Sequence, residues 1–315
     1  MSVDVVTVGG CTVDIVRAGD GSTRGRQLGG NAIYAAAGAH LWDRRPGVVA
    51  FRGTGMPEGW AETLAALEID TEGLIPVDVP ASVTEFFYDA EGERTQRVWS
   101  PEGGGKAVRY LPADTGEPIR RLRLTPRHVP ERYRSALGAH LAPIHGDAQG
   151  ELSHALAALG VLTLDPYPHV MSDVGDDDLR ALLAHVAAFL PSREEVRARF
   201  PDLSAEEALQ RLAPLTREAT VIKLGRSGAL VHERAAGRRY AVPGVPLHVV
   251  DPTGAGDAFC GGFLAGLLDR NVLEAAAWGT VSASFAIEDF GFEGLLRARP
   301  MERDRRKRWV LEHVQ

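Results

Sequence analysis

The chain has 315 residues, 44% hydrophobic and 24% charged, which excludes a disordered or fibrous protein and supplies core for one large α/β domain or two small ones. Thirty-five Lys and Arg face 42 Asp and Glu, a net charge of −7, so nothing global attracts nucleic acid and any phosphate site is local. Two cysteines, Cys11 and Cys260, are too few for a disulfide framework and lie in apolar segments, which points to a reducing compartment. The start, MSVDVVTVGG, lacks a basic run ahead of a long apolar one, and no uninterrupted apolar stretch of about 18 residues occurs. A soluble, cytoplasmic protein without a membrane partner is expected.

Residues 3–8 are an apolar, β-branched run ending at Gly9-Gly10, and 12–16 read as a second short strand. After Gly29-Gly30, residues 31–42 are Ala-rich and free of proline, a helix fed by a glycine turn. Residues 48–51 (strand) and 60–67 (helix) continue the alternation; 83–88 and 95–99 flank a turn-forming 89–93, a hairpin pattern. Residues 101–135, rich in Pro, Gly and Arg, predict irregular loops with short elements. The rhythm resumes with strands at 140–144, 161–164 and 187–190 and helices at 152–159 and 178–185. Helices at 193–200 and 205–212 precede strands at 220–224, 229–232 and 239–242, expected as an antiparallel edge. Helices at 254–268, 273–288 and 302–311 close the chain. This alternation predicts a mostly parallel sheet with helices on both faces, in one domain spanning 1–315.

The richest stretch in chemistry is Asp251-Pro252-Thr253-Gly254-Ala255-Gly256-Asp257. Small residues at the start of a helix let backbone N–H groups approach an anion, and the helix dipole adds positive potential. Asp257, in the first turn, suits a general base toward a hydroxyl held beside a phosphate. The bland alternative makes Thr253 an N-cap and Asp257 a complement to the dipole.

This block, with Gly261-Gly262 beyond it, resembles the C-terminal signature of the ribokinase-like (PfkB) family of carbohydrate and nucleoside kinases. The resemblance implies a three-layer α/β/α fold with a central, mostly parallel sheet and a small β-sheet lid, here about 12–28 and 83–99. It gives Gly254, Ala255 and Gly256 to an anion hole and Asp257 to deprotonation of the acceptor. Gly29-Gly30-Asn31 is similar to the family's sugar-site motif, and Asp14 to the acid that clamps two substrate hydroxyls; a turn with a capping Asn and a strand-end Asp are their structural alternatives. The segment 220–229 resembles the strand-turn-strand over which ATP lies, with Lys223, Gly225 and Gly228 as contacts. Ser192 and Glu195 match an Asn-x-x-Glu segment, Ser replacing Asn, in which the Glu orders Mg²⁺ through water; two acids in a first helical turn are also ordinary helix chemistry. Residues 281–291 resemble the helix and Gly turn that border the adenine pocket, with Thr280 and Ala283 as contacts, where small residues equally serve helix packing. Relatives often bind a monovalent cation near the positions of Asp251 and Thr253, and many pair through the lid, so such a cation and a homodimer belong to what the resemblance implies.

There are departures. Tyr34 stands where relatives carry a second Asn, Gly53-Thr54-Gly55 replaces a frequent Gly-Asp-Asp, and His145 lies near a position often held by a substrate-binding acid. The expected reaction is transfer of the γ-phosphate of ATP to a hydroxyl of a small sugar or polyol. The rival expectations are a nucleoside kinase, with Tyr34, Phe86, Phe87 or Tyr88 stacking on a base, and a non-catalytic metabolite sensor.

Overall fold

The computed structural model describes residues 2–17, 21–88, 94–99, 106–108, 119, 122–144, 146–269 and 271–315. Its strands are β1 (Val5–Val8), β2 (Thr12–Arg17), β3 (Thr23–Gly29), β4 (Pro46–Thr54), β5 (Leu74–Pro80), β6 (Val83–Tyr88) and β7 (Arg94–Trp99). They continue with β8 (Lys106–Val108), β9 (Gly138–Leu141), β10 (Val161–Leu164), β11 (Ala188–Phe189), β12 (Ala219–Lys223), β13 (Ala229–Glu233) and β14 (Arg238–Val242). The helices are α1 (Asn31–His40), α2 (Trp60–Ala66), α3 (Gly146–Leu156), α4 (Pro168–Asp173), α5 (Asp176–Leu183) and α6 (Arg193–Arg199). After them come α7 (Ala205–Leu212), α8 (Ala255–Leu267), α9 (Val272–Ala286), α10 (Glu293–Leu296) and α11 (Pro300–Glu312).

Nine strands form the main sheet in the order β14-β13-β12-β11-β10-β9-β1-β4-β5. Pairing is parallel from β12 to β5, and β13 and β14 run antiparallel at one edge. All four residues of β1, β9 and β10 are buried, as central parallel strands are when helices cover both faces; β1 and β10 are rich in Val, Leu and Thr, whereas β9 carries the buried His140. One core joins the sheet to α1, α8 and α9; the other joins it to α3, α5, α6 and α7.

The helices differ in how they earn their burial. Residues 258–267 of α8 are buried all round, so this helix has no polar stripe and is held between α1 and α9. By contrast α7 turns Ala208, Leu209 and Leu212 inward and sends Glu206 outward, and Ser204 and Glu207 close a capping box at its start.

The second sheet has the order β3-β2-β6-β7-β8. It takes in β2, β3, β6 and β7 from the segments expected in the lid, and adds β8. Positions 18–20 and 89–93, the hairpin turn included, lie outside the described residues, as do His145 and most of 101–121. Two elements run against simple readings of composition. β5 carries Pro76 and Pro80 yet is a strand, because it sits at the sheet edge where a missing N–H costs no ladder bond. β3 exposes Thr23, Arg24, Gly25 and Arg26, so it has no apolar alternation to betray it.

Candidate active site

The carboxyl ends of β1, β10 and β12 and the first turn of α8 converge on one side of the main sheet, where parallel α/β sheets bind ligands. The backbone of the 251–257 bend is fixed from two sides. Asp251 Oδ1 accepts from Thr253 N at 2.9 Å, and Gly254 takes φ 74° as the N-cap of α8. A Cβ on Gly254 would stand 2.3 Å from the Tyr34 ring, so both backbone sign and crowding call for glycine. Gly256 is exposed, and Gly254, Ala255 and Asp257 are half-buried. The bend is open; Ala255 N donates to Pro252 O at 3.3 Å, and the N-terminal end of a helix turns N–H groups outward.

Tyr34 is buried, stacked on Phe292 at 4.3 Å between centroids, with Gly254 against its ring. Both faces are covered, so it is no platform for a base. Its hydroxyl lacks a hydrogen-bond partner, and burial together with the carboxylates of Asp14, Asp251 and Asp257 pushes its titration well above the ordinary phenol value. Asp14, on β2, is buried and accepts from Thr12 Oγ1 at 2.9 Å. Gly29 opposes it: a Cβ there would lie 2.0 Å from Asp14 Oδ2, so this glycine makes room for the carboxylate.

Asn31 performs a chain-clasping task at the same place. Its Oδ1 accepts from Gly10 N at 2.7 Å and its Nδ2 donates to Pro143 O at 2.8 Å, tying α1 to the ends of β1 and β9. One amide hydrogen and one lone pair remain for a ligand. Gly30, φ 115°, packs on Gly10 O. Tyr88, from β6 of the second sheet, reaches across to share a hydrogen bond of 2.7 Å with Thr253 Oγ1, so that sheet touches the bend directly.

Below Gly256 lies a charged cluster. Lys223 Nζ donates to Asp165 Oδ2 at 2.5 Å, and Cys260 Sγ is 3.5 Å from the ammonium and 3.6 Å from the same carboxylate oxygen. A Cβ on Gly256 would meet nothing nearer than Lys223 Nζ, at 3.6 Å. Glu195 Oε2 accepts from Ser192 N, and Ser192 Oγ from Glu195 N, which is a capping box on α6. Loss of solvent and the nearby Asp165 charge raise the Glu195 carboxyl to about 8.

The remaining nucleotide candidates divide. Gly225 (φ 61°) borders open space, whereas a Cβ on Gly228 would stand 2.0 Å from Val242 O, so Gly228 serves packing. Thr280 spends its hydroxyl on Ala276 O at 2.9 Å, and Ala283 is half-buried on the same helix. Asp165 was missed from sequence; the available signal was an acid directly after the buried run Val161–Leu164. Both cysteines are buried and free. Among the described residues no helix is long and apolar enough to cross a membrane, and no group of three or more His, Cys, Asp or Glu forms a metal cage.

Residues 133–297, just over half of the chain, match the model of the pfkB family of carbohydrate kinases. The chain belongs to that family: it is a sugar or nucleoside kinase of ribokinase type. Among curated proteins it is 28% identical to a cytidine kinase of Thermococcus kodakarensis, over 86% of this chain and 91% of that one. Among solved structures it is similar to a nucleoside kinase of Burkholderia thailandensis in complex with inosine, with TM-score 0.74, 17% identity, and 98% and 99% of the two chains covered. A putative ribokinase of E. coli in complex with ATP and Mg²⁺ aligns with TM-score 0.72 and 20% identity, again over 98% and 99%. Both likenesses are of fold.

Proposed function

We propose that the protein transfers the γ-phosphate of ATP to a hydroxyl of a small sugar or polyol, with Asp257 as general base and the 254–257 turn as anion hole. The observation that carries this reading is the open first turn of α8, with Gly256 exposed and Asp257 half-buried beside it. Asp14 and Asn31 orient the acceptor, and Asp257 takes its proton as the oxygen attacks phosphorus. The amides of the turn receive the charge on the transferring group. The second sheet, through Tyr88 on Thr253, acts as a lid that keeps water from the phosphate. Lys223 and Gly225 lie toward the phosphates, and Thr280 and Ala283 toward the base.

A hydrated Mg²⁺ needs few protein ligands, and Glu195, whose carboxyl is raised to about 8 in the ligand-free fold, would hold it through water once the ion's charge draws off the carboxyl proton. Bound there, the ion neutralises phosphate charge. The buried free thiols agree with a reducing, cytoplasmic setting.

The similarity to a cytidine kinase over most of both chains favours a second reading, in which the acceptor hydroxyl belongs to a nucleoside. Tyr34 is not available to stack on a base, Phe86 is buried and Phe87 lies under Arg17, so the base would have to use Tyr88 or another surface. A phosphotransfer assay across sugars, polyols and nucleosides, with wild type and Asp257→Asn, tests both. The variant is expected to lose about 10²- to 10⁴-fold in kcat. Transfer to nucleosides alone would replace the first reading by the second; binding without turnover of every acceptor would overturn both.

A further inference from the structure

Asp165 has no part in the proposed reaction, yet its ion pair with Lys223 is placed directly beneath the bend. Lys223 ends β12, Asp165 follows β10, and both side chains are almost entirely withdrawn from solvent, at 11% and 4% exposure. A buried ion pair is a poor device for stability, because desolvating two charges offsets their attraction. This one is also incomplete. Asp165 Oδ1 is buried without a partner, whereas Oδ2 receives both the ammonium and the Cys260 thiol.

The direction of the pair is informative. The nearest atom to a side chain that Gly256 lacks is Lys223 Nζ, so the ammonium abuts the turn that presents its N–H groups to an anion. The isolated bridge between Ser192 and Lys223 holds the Lys223 backbone against the start of α6. Gln149 Nε2 in turn donates to Asp165 O at 2.8 Å and Ala142 O at 3.1 Å, fixing the backbone from which the carboxylate projects.

We propose that Asp165 is a positioning residue for phosphate: it holds the Lys223 ammonium, charged and aimed, against the Gly256 turn, so that a full positive charge joins the backbone amides where the nucleotide's phosphates arrive. The inference rests on the proposed use of the turn as an anion hole, and deepens it. An ammonium buried without an acid beside it gives up its proton or swings away, and burial alone opposes the charged form of Lys223 while Asp165 restores it. Asp165 itself touches no substrate in this scheme.

The test is equilibrium binding of MgATP without acceptor, together with steady-state kinetics, for Asp165→Asn, Lys223→Met and the double variant. Asp165→Asn is expected to weaken MgATP binding about tenfold and to raise KM for ATP, with KM for the acceptor unchanged. Lys223→Met should weaken it by at least as much. The double variant should bind no worse than Lys223→Met, because Asp165 acts through the lysine. It carries no unpaired charge, so it also serves if either single variant fails to fold. Unchanged or tighter MgATP binding in Asp165→Asn, or a further tenfold loss in the double variant relative to Lys223→Met, overturns the proposal. Asp257→Asn separates the two levels: if that variant still transfers phosphate, the general-base reading falls, while the coupling of Asp165 to Lys223 stays readable in binding alone.

Discussion

Gly256→Ala separates what the 254–257 turn does for the fold from what it does for the reaction. Gly256 is exposed in the first turn of α8, its φ is ordinary, and a Cβ there meets only Lys223 Nζ at 3.6 Å, an unstrained contact. Alanine is better than glycine by about 1 kcal/mol in a helix interior, and a first-turn position keeps part of that, so the variant should gain about 0.5 kcal/mol. The methyl group nevertheless occupies the mouth between the ammonium and the amides. If phosphate is received there, transfer should fall by about 10²-fold, the loss typical of one misplaced oxyanion donor. Urea denaturation and phosphotransfer kinetics on the same preparation read both quantities. Gly150→Ala on α3, where a Cβ meets nothing within 4 Å, is the control: similar stability, full turnover. A Gly256→Ala protein with wild-type kcat and KM for ATP would refute the assignment of the turn.

Gly254→Ala should behave oppositely, destabilising by roughly 2–4 kcal/mol in denaturant melts from left-handed strain and overpacking on Tyr34; a loss below about 0.5 kcal/mol would count against that packing. Tyr34→Phe removes a buried hydroxyl without a partner while keeping the stack on Phe292, so the ligand-free protein should be no less stable, and a loss above about 1 kcal/mol would reveal a bond that the structure lacks. His140, fully buried with Nδ1 on Thr163 Oγ1, is held down to about 3 by desolvation. Its folded value lies below the unfolded one, so the unfolded chain binds the extra proton, and stability is present above pH 6.5 and drains as pH falls toward 3. Between pH 8 and pH 5 this amounts to about 2 kcal/mol, which His140→Gln should not show in pH-resolved melts.

What the sequence made legible follows from where each signal is stored. Short-range patterns survive in the chain itself: Val161–Leu164 and Ala205–Leu212 are bounded as expected because a buried run and a Ser-x-x-Glu box are local facts. The βαβ rhythm likewise carries the main sheet and its antiparallel edge. Elements defined by their surroundings are different. β5 is a strand because it is an edge, and β3 because β2 pairs with it, and neither neighbour is visible from composition. The site divides on the same line. The Gly-Ala-Gly-Asp turn is legible because its backbone chemistry is contiguous, whereas Asp165 acquires meaning only when β12 brings Lys223, 58 positions away, to 2.5 Å from it. Tyr34 shows the limit most sharply. Its sequence position offered an aromatic surface, but Phe292 and Gly254 cover the ring, and what is left is a buried hydroxyl without a hydrogen-bond partner. A departure from a family pattern is thus weighed by what encloses the new side chain, and here the enclosure argues against stacking on Tyr34 and leaves the proposed use of the 254–257 turn untouched.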